Sequence, residues 1–195
     1  MKSAMRRAFT LIELLVTISV IGLLVGIMVP ALSSARASAK RTACASNLRQ
    51  VGAGLAMYMS ANRDRSPHAS FMPSMIPLPD TGPKPIRIAD VLKIEVGEPQ
   101  AFHCPSDIAD DARLDPNRGL SYFQSEGSSY EYRTRPPLGG RTAPEVSAMF
   151  DRFDIKVADN AFWVLRDYNN FHGPGGKPGA RRYLYSDGHV TDFEN

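Results

Sequence analysis

Two hydrophobic patterns follow one another in the first third of the chain. Residues 14–29 carry no charge, and residues 9–32 carry only Glu13. At about 1.5 Å per residue the longer run makes about 36 Å of helix, enough to cross a hydrocarbon core of about 30 Å. Beyond it, over residues 33–61, Ala is frequent, Pro is absent, and Cys44, Leu48, Val51, Leu55 and Tyr58 recur at intervals of four, three, four and three. That spacing predicts a single apolar helix face, with Arg36, Lys40, Arg41, Asn47, Arg49 and Gln50 mainly off it. Gly52 and Gly54 weaken the middle of this helix, and the run Asn62-Arg63-Asp64-Arg65-Ser66-Pro67 ends it.

The remainder reads differently. Prolines at 67, 73, 77, 79, 83, 85, 99, 105 and 116 exclude long helices over much of this stretch, leaving residues 86–96 for a short one. Strands are predicted over residues 129–134, 146–150, 161–166, 182–186 and 190–193. Between the last two, Asp187-Gly188 lies among aromatic and apolar residues, a strong local signal for a tight hairpin turn. The resulting class is α+β: a long N-terminal helix, with a membrane half and an amphipathic half, packed on a small antiparallel β-sheet domain.

Charge narrows the functional classes. The net charge is +3, yet Lys2, Arg6 and Arg7 all precede Phe9, and without them 20 basic residues face 20 acidic ones. No electrostatic footprint for nucleic acid survives. The local cluster Arg36, Lys40, Arg41 and Arg49 reads as a solvated or headgroup-facing helix surface.

Glu13 is what the apolar run leaves unexplained. A carboxylate in a lipid-embedded helix costs roughly 2.5–3.5 kcal/mol, so it calls for a partner or a task. A secretory signal peptide would use the basic head, the apolar core and the small residues Ala35, Ala37 and Ala39, but has no use for Glu13. A plain single-pass anchor explains the length and leaves Glu13, Thr10 and Thr17 without a role.

The run Arg6-Arg7-Ala8-Phe9-Thr10-Leu11-Ile12-Glu13-Leu14-Leu15-Val16 resembles the prepilin cleavage and methylation motif of type IV pilins and type II secretion pseudopilins. The resemblance implies a pilin-like lollipop in which prepilin peptidase cuts between Ala8 and Phe9 and methylates the new amino terminus at Phe9. Glu13 then meets the amine of a neighbouring subunit. Electrostatics agrees, because a terminal amine is the partner that a membrane carboxylate needs, and Glu13 stands in the first helical turn where the dipole favours negative charge. The family has Gly before the cut, where this chain has Ala8, a residue still small.

The implied organisation is a leader over residues 1–8, a transmembrane and assembly helix over 9–32, an amphipathic helix over 33–65 and a globular domain over 66–195. The chain would be a non-enzymatic subunit, single-pass in the inner membrane with its C-terminal domain extracytoplasmic. Its partners would be prepilin peptidase and copies of itself or related subunits. Gly22 and Gly26 form a G-x-x-x-G pair that lets helices approach closely, and Pro30 removes one helix hydrogen bond, predicting a kink or the membrane exit. The alternative is a secreted or anchored binding protein or enzyme with an ordinary signal peptide, distinguished by its mature amino terminus.

Cys44 and Cys104 are the two cysteines, and an even pair in an oxidising compartment permits one bridge. Closing that 60-residue separation would contribute about 4 kcal/mol in the chain-entropy account. Cys44 with Asn47-Leu48-Arg49-Gln50, Phe102-His103-Cys104-Pro105-Ser106-Asp107 and Asp187-Gly188-His189-Val190 also resemble a group of prepilin-type proteins abundant in planctomycete-like bacteria, which carry a His before a terminal Asp-Gly. Here that His is His172, and residues 173–179 form a Gly- and Pro-rich insertion after it.

Catalytic patterns are absent from the sequence. Lys177 in the Gly-rich run is followed by Pro178 where a phosphate loop needs Ser or Thr, and no H-E-x-x-H, G-x-S-x-G or paired C-x-x-C occurs. His172, Asp187 and His189 are weak metal-ligand candidates at loose spacing. Asp151, Asp154 and Asp159 are acidic residues for calcium without a recognisable ligand ladder. No cofactor is expected on this reading.

Overall fold

The computed structural model describes residues 11–70, 86–109, 119–133, 138–152 and 162–192. Two compact units divide the chain, Met1–Ala39 and Lys40–Asn195. Helix α1, Leu11–Ala61, begins in the first and ends in the second.

In the first unit the described residues are all exposed, and the large apolar side chains from Leu11 to Leu32 leave at least half their surface uncovered. This segment is long and apolar enough to cross a membrane. Its hydroxyls need no outside partner: Thr17 donates to the Leu14 carbonyl and Ser19 to the Leu15 carbonyl, both at 2.8 Å. Pro30 lies inside α1, whose helical assignment continues through it. The ring removes the N–H that would bond the Gly26 carbonyl, and Ser33 donates to the Pro30 carbonyl at 2.8 Å.

In the second unit the predicted stripe is the buried face of α1. Cys44, Leu48 and Val51 are fully buried and Leu55 nearly so, while Tyr58 packs against the same cluster. Burying a side chain of the Val or Leu class contributes about 1.5–3 kcal/mol. The helix ends where Arg63 and Asp64 adopt positive φ, and the Asp64 N–H returns to the Met59 carbonyl at 2.8 Å.

The short helices α2, Ile88–Val91, and α3, Lys93–Val96, occupy the stretch expected to be helical, followed by a 3-10 turn at Pro99–Phe102. Helix α4 is Tyr122–Glu126, started by a capping box in which Ser121 accepts from the Gln124 N–H and Gln124 accepts from the Ser121 N–H.

Four antiparallel strands form one sheet in sequence order: β1 Tyr130–Tyr132, β2 Trp163–Asp167, β3 Arg182–Tyr185 and β4 Val190–Asp192. Tyr132 pairs with Leu165 and Leu165 with Leu184, which puts these residues on the face that joins the α1 stripe in one core. Between Trp163 and Leu165 the register shifts, so neighbouring Val164 and Leu165 are both buried. On the row beside them, Glu131 pairs with Arg166 across the ladder and through an ion pair. The Arg133 guanidinium lies 4.6 Å from the Phe150 ring centroid and 4.5 Å from that of Trp163. Burial brings Arg133 down to about 10, still protonated at neutral pH.

The strand expected over residues 146–150 is instead part of helix α5, Ala143–Arg152. Val146 and Phe150 are buried one helical turn apart, and Glu145 accepts from the Thr142 N–H at 2.8 Å to cap its start. The hairpin at Asp187-Gly188 is present. Gly188 alone in it has positive φ, 88°, and its N–H bonds the Tyr185 carbonyl at 2.9 Å. Asp187 keeps negative φ, so the loop is one residue longer than a two-residue turn with both residues left-handed.

The glycines that appeared to weaken α1 are close-approach points. A Cβ on Gly52 would stand 2.9 Å from Leu184 Cδ1, and one on Gly54 would run into Val96 Cγ2 with the Val96 backbone nitrogen at 3.3 Å. Helix propensity alone favours Ala by about 1 kcal/mol, whereas overpacking costs about 1–3 kcal/mol. Gly54→Ala is therefore expected to lower stability by about 1 kcal/mol in denaturant unfolding of the detergent-solubilised chain. Gly22→Ala, whose Cβ position is open, should lose nothing.

Candidate functional site

Two places carry the chemistry singled out in the sequence. At the first, Glu13 occupies the first turn of α1 and is exposed, while Ala8 and Phe9 lie outside the described residues. Gly22 and Gly26 have nothing within 4 Å of where a Cβ would be, leaving both glycines open to an approaching surface. This segment has side chains suited to lipid or to other apolar helices, with one carboxylate at its start.

The second place is buried in the Lys40–Asn195 unit. Cys44 on α1 and Cys104 after the 3-10 turn form a disulfide, as the sequence anticipated. The backbone around it is fixed from several sides. Asn47, one turn along α1, donates to the His103 carbonyl at 2.7 Å. The Cys104 N–H donates to Ser129 Oγ at 2.9 Å, and Ser129 Oγ donates to Asp107 Oδ2 at 2.8 Å. Asp107 also accepts from the Tyr122 and Phe123 N–H groups at the start of α4, at 3.1 and 2.8 Å. The segment Phe102-His103-Cys104-Pro105-Ser106-Asp107 thus works as a joint between α1, α4 and the sheet.

His172 completes this centre from the loop between β2 and β3. Its backbone N–H donates to the Ala180 carbonyl at 3.1 Å, which pinches off the Gly-rich segment 173–179, and Arg41 donates to its carbonyl. In the interior its Nε2 lies 3.3 Å from Asp167 Oδ2 and 3.6 Å from Cys104 Sγ, and its Nδ1 lies 3.5 Å from Ser106 Oγ. Asp167, the last residue of β2, is fully buried, and its Oδ2 also accepts from the Arg182 N–H at 2.7 Å. Burial pushes its carboxyl above the usual range, opposed by the His172 ring and by Arg182. The Tyr130 hydroxyl donates to the Cys44 carbonyl at 3.4 Å and is itself raised, first by burial and then by Asp167.

The three weak metal candidates separate. Asp187 and His189 pair at the exposed hairpin, Oδ1 to Nδ1 at 2.5 Å, with the Tyr185 ring stacked on His189 at 4.3 Å between centroids. Burial acts to raise Asp187, but the His189 backbone N–H and ring hold it below its usual value. His172 is enclosed by Cys44, Cys104 and Asp167 instead. Sequence reasoning missed Asp167, Ser106 and Asp107 as partners, because they meet His172 and Cys104 only through tertiary packing. Of the calcium candidates, Asp151 is exposed on α5, and Asp154 and Asp159 lie outside the described residues.

Comparison with known proteins bears on the first place only. Residues 3–29 match a family model described as the prokaryotic N-terminal methylation motif. The match contains Ala8, Phe9 and Glu13 and does not reach the Lys40–Asn195 unit. Comparison with curated proteins and with solved structures gives no significant match. The N-terminal segment is prepilin-like, and together with the apolar helix it fits a membrane-anchored, single-pass pilin- or pseudopilin-type subunit.

The buried carboxyl sets a pH dependence. The folded chain holds the Asp167 proton more tightly than the unfolded chain, where an aspartate titrates near about 3.9. Stability from this group is therefore greatest at low pH and falls as pH rises from about 3.9 through the raised folded value. His172, Arg182 and Tyr130 face it throughout. Thermal unfolding of wild type and Asp167→Asn across that window should show the difference in Tm moving in favour of the variant as pH rises.

Proposed function

We propose that this protein is a structural subunit of a type II secretion pseudopilus or a type IV pilus-like filament, matured by prepilin peptidase and polymerised through α1. The observation that carries this reading is the methylation motif running directly into a membrane-length helix whose apolar side chains are uncovered in the single chain. Such a helix is satisfied by lipid before assembly and by neighbouring helices after it. Transfer between these two apolar surroundings costs little, because packing and interhelical contacts replace lipid contacts.

Glu13 supplies register. Cutting after Ala8 creates a terminal amine at Phe9, and the carboxylate of one subunit pairs with the amine of another. The pairing neutralises both charges in a region where either alone costs several kcal/mol. Gly22 and Gly26 supply a surface for close helix approach. Lys2, Arg6 and Arg7 stay on the cytoplasmic side by the positive-inside rule, which puts the Lys40–Asn195 unit outside. The Cys44–Cys104 bridge supports that orientation, since disulfides persist in oxidising compartments.

The mature amino terminus tests the reading directly. Mass spectrometry of the membrane-fraction protein is expected to give N-methyl-Phe9; a start near Ser38 or Lys40 would indicate signal peptidase, and Met1 a plain anchor. Glu13→Leu is expected to be cleaved and inserted normally yet to be lost from sheared filament fractions. Wild-type incorporation of that variant would remove Glu13 from the assembly contact.

A further inference from the structure

Resting on the reading that residues 9–32 cross the membrane, we propose that one end of the Lys40–Asn195 unit docks on anionic phospholipid headgroups of the leaflet it faces. Lys40, Arg41, Lys177 and Arg181 supply the charge, and Ile108 and Leu120 supply apolar contact. These six residues come from four segments that meet around His172. Arg41 donates to the His172 carbonyl, and the His172 N–H bonds the Ala180 carbonyl at 3.1 Å, so the base of the 173–179 loop stands beside the first turn of α1 in this unit. Lys177 is on the exposed part of that loop, which turns back through its own bonds: the Lys177 N–H to the Pro174 carbonyl, and the Ala180 N–H to the Lys177 carbonyl. Arg181 follows the pinch, and its Nε donates to Asn170 Oδ1 at 2.9 Å, a neutral partner that leaves the charge uncompensated. Ser106 Oγ lies 3.5 Å from His172 Nδ1, and Ile108 comes two residues later. Leu120 comes two residues before Tyr122, whose ring centroid lies 4.2 Å from that of Tyr168 and 6.0 Å from that of Phe171, next to His172.

The charge at this end is unbalanced. Lys40, Arg41 and Lys177 are exposed and Arg181 is half-buried, and none of the four pairs with a carboxylate among the described residues. Carboxylates of the adjoining segments are engaged elsewhere: Asp167 is buried against His172, Asp107 accepts from the start of α4, and Asp192 pairs with Arg182. Ile108 and Leu120 are 64% and 42% exposed, so the same end also offers apolar side chains to its surroundings. A headgroup layer suits both features. Its phosphates attract cations over a Debye length of about 8 Å, and the boundary with the acyl chains accepts apolar tips.

Chain connectivity selects a membrane over other anionic partners. Seven residues separate Leu32, the end of the apolar run, from Lys40. Even a fully extended chain holds Lys40 within about 28 Å of Leu32. Encounter with the headgroups is therefore intramolecular in effect, and a modest attraction suffices to hold the unit there. A dissolved anion or a separate acidic protein has no such advantage. Docking of this kind keeps the unit on the bilayer before assembly and is given up when the chain leaves for a filament.

Amide hydrogen exchange read by mass spectrometry tests this on the full-length chain, held at one copy per nanodisc of phosphatidylcholine alone or of phosphatidylcholine with phosphatidylglycerol. Insertion is scored first, by co-elution of the chain with the disc. Exchange over residues 173–181 is expected to be about fivefold slower in the anionic discs than in the neutral ones. High salt should remove the difference. Combining Lys40→Glu with Lys177→Glu should return the ratio to that of equal rates, while Lys93→Glu on α3 keeps the wild-type ratio. A chain that co-elutes with both discs and exchanges equally fast in them would overturn the docking and leave the membrane helix standing. Entry into neither disc would overturn both. Slowing that appears only with two copies per disc, in neutral lipid, would assign the surface to a neighbouring subunit and overturn the lipid contact.

Discussion

The stripe Cys44, Leu48, Val51 and Leu55 on α1 is the surface on which the Lys40–Asn195 unit is organised. It is fully or nearly buried, and it shares one core with Leu165 and Leu184 of the sheet, Ile88, Leu92 and Phe102 of α2 and the following turn, and Val146 and Phe150 of α5. Because one helix supplies this face, the small sheet can cover its core side without a second layer of strands. The cost falls on α1 itself, which gives up side-chain volume at Gly52 and Gly54 so that Leu184 and Val96 can come close. Residues that look like defects in helix propensity are, in the packed unit, the shape that lets its partners dock.

Much of this fold was legible because its signals are local. A seven-residue spacing of apolar positions defined the α1 face, and the terminal hairpin announced itself through Asp-Gly between β-forming residues. The exceptions are instructive in the same terms. Residues 146–150 hold Val146, Met149 and Phe150 with Ser147 and Ala148 between them, a run too short to separate period two from period 3.6. The deciding signal was Thr142 followed three residues later by Glu145, a helix start that the apolar pattern masked. Helix α4 was missed for a related reason: five residues give no periodicity, and only Ser121 and Gln124 at capping spacing mark it.

The site divides along a similar line. The segment with the methylation motif could be read from the chain alone, since a carboxylate in an apolar run is anomalous wherever it occurs. The buried centre could not. Cys44 and Cys104 could be paired by count, yet Asp167, His172 and Ser106 come from β2, its outgoing loop and a segment far upstream of that strand. Only the antiparallel meander and the pinch between His172 and Ala180 bring them together. The sequence grouped His172 with Asp187 and His189 because imidazole and carboxylate are ordinary metal donors, whereas the sheet carries Asp187 and His189 to an exposed turn.

The place of Cys44 on α1 also has a mechanical meaning. Within the Lys40–Asn195 unit, residues 40–61 are the part of α1 that takes up a load arriving from the N-terminal side of that unit. The first position where that load meets a covalent tie to another part of the fold is Cys44, just inside the unit. There the pull is shared with the Cys104 segment and, through Ser129 and Asp107, with β1 and α4. Tension is therefore spread across the unit at its entrance rather than peeling the helix from the sheet one contact at a time.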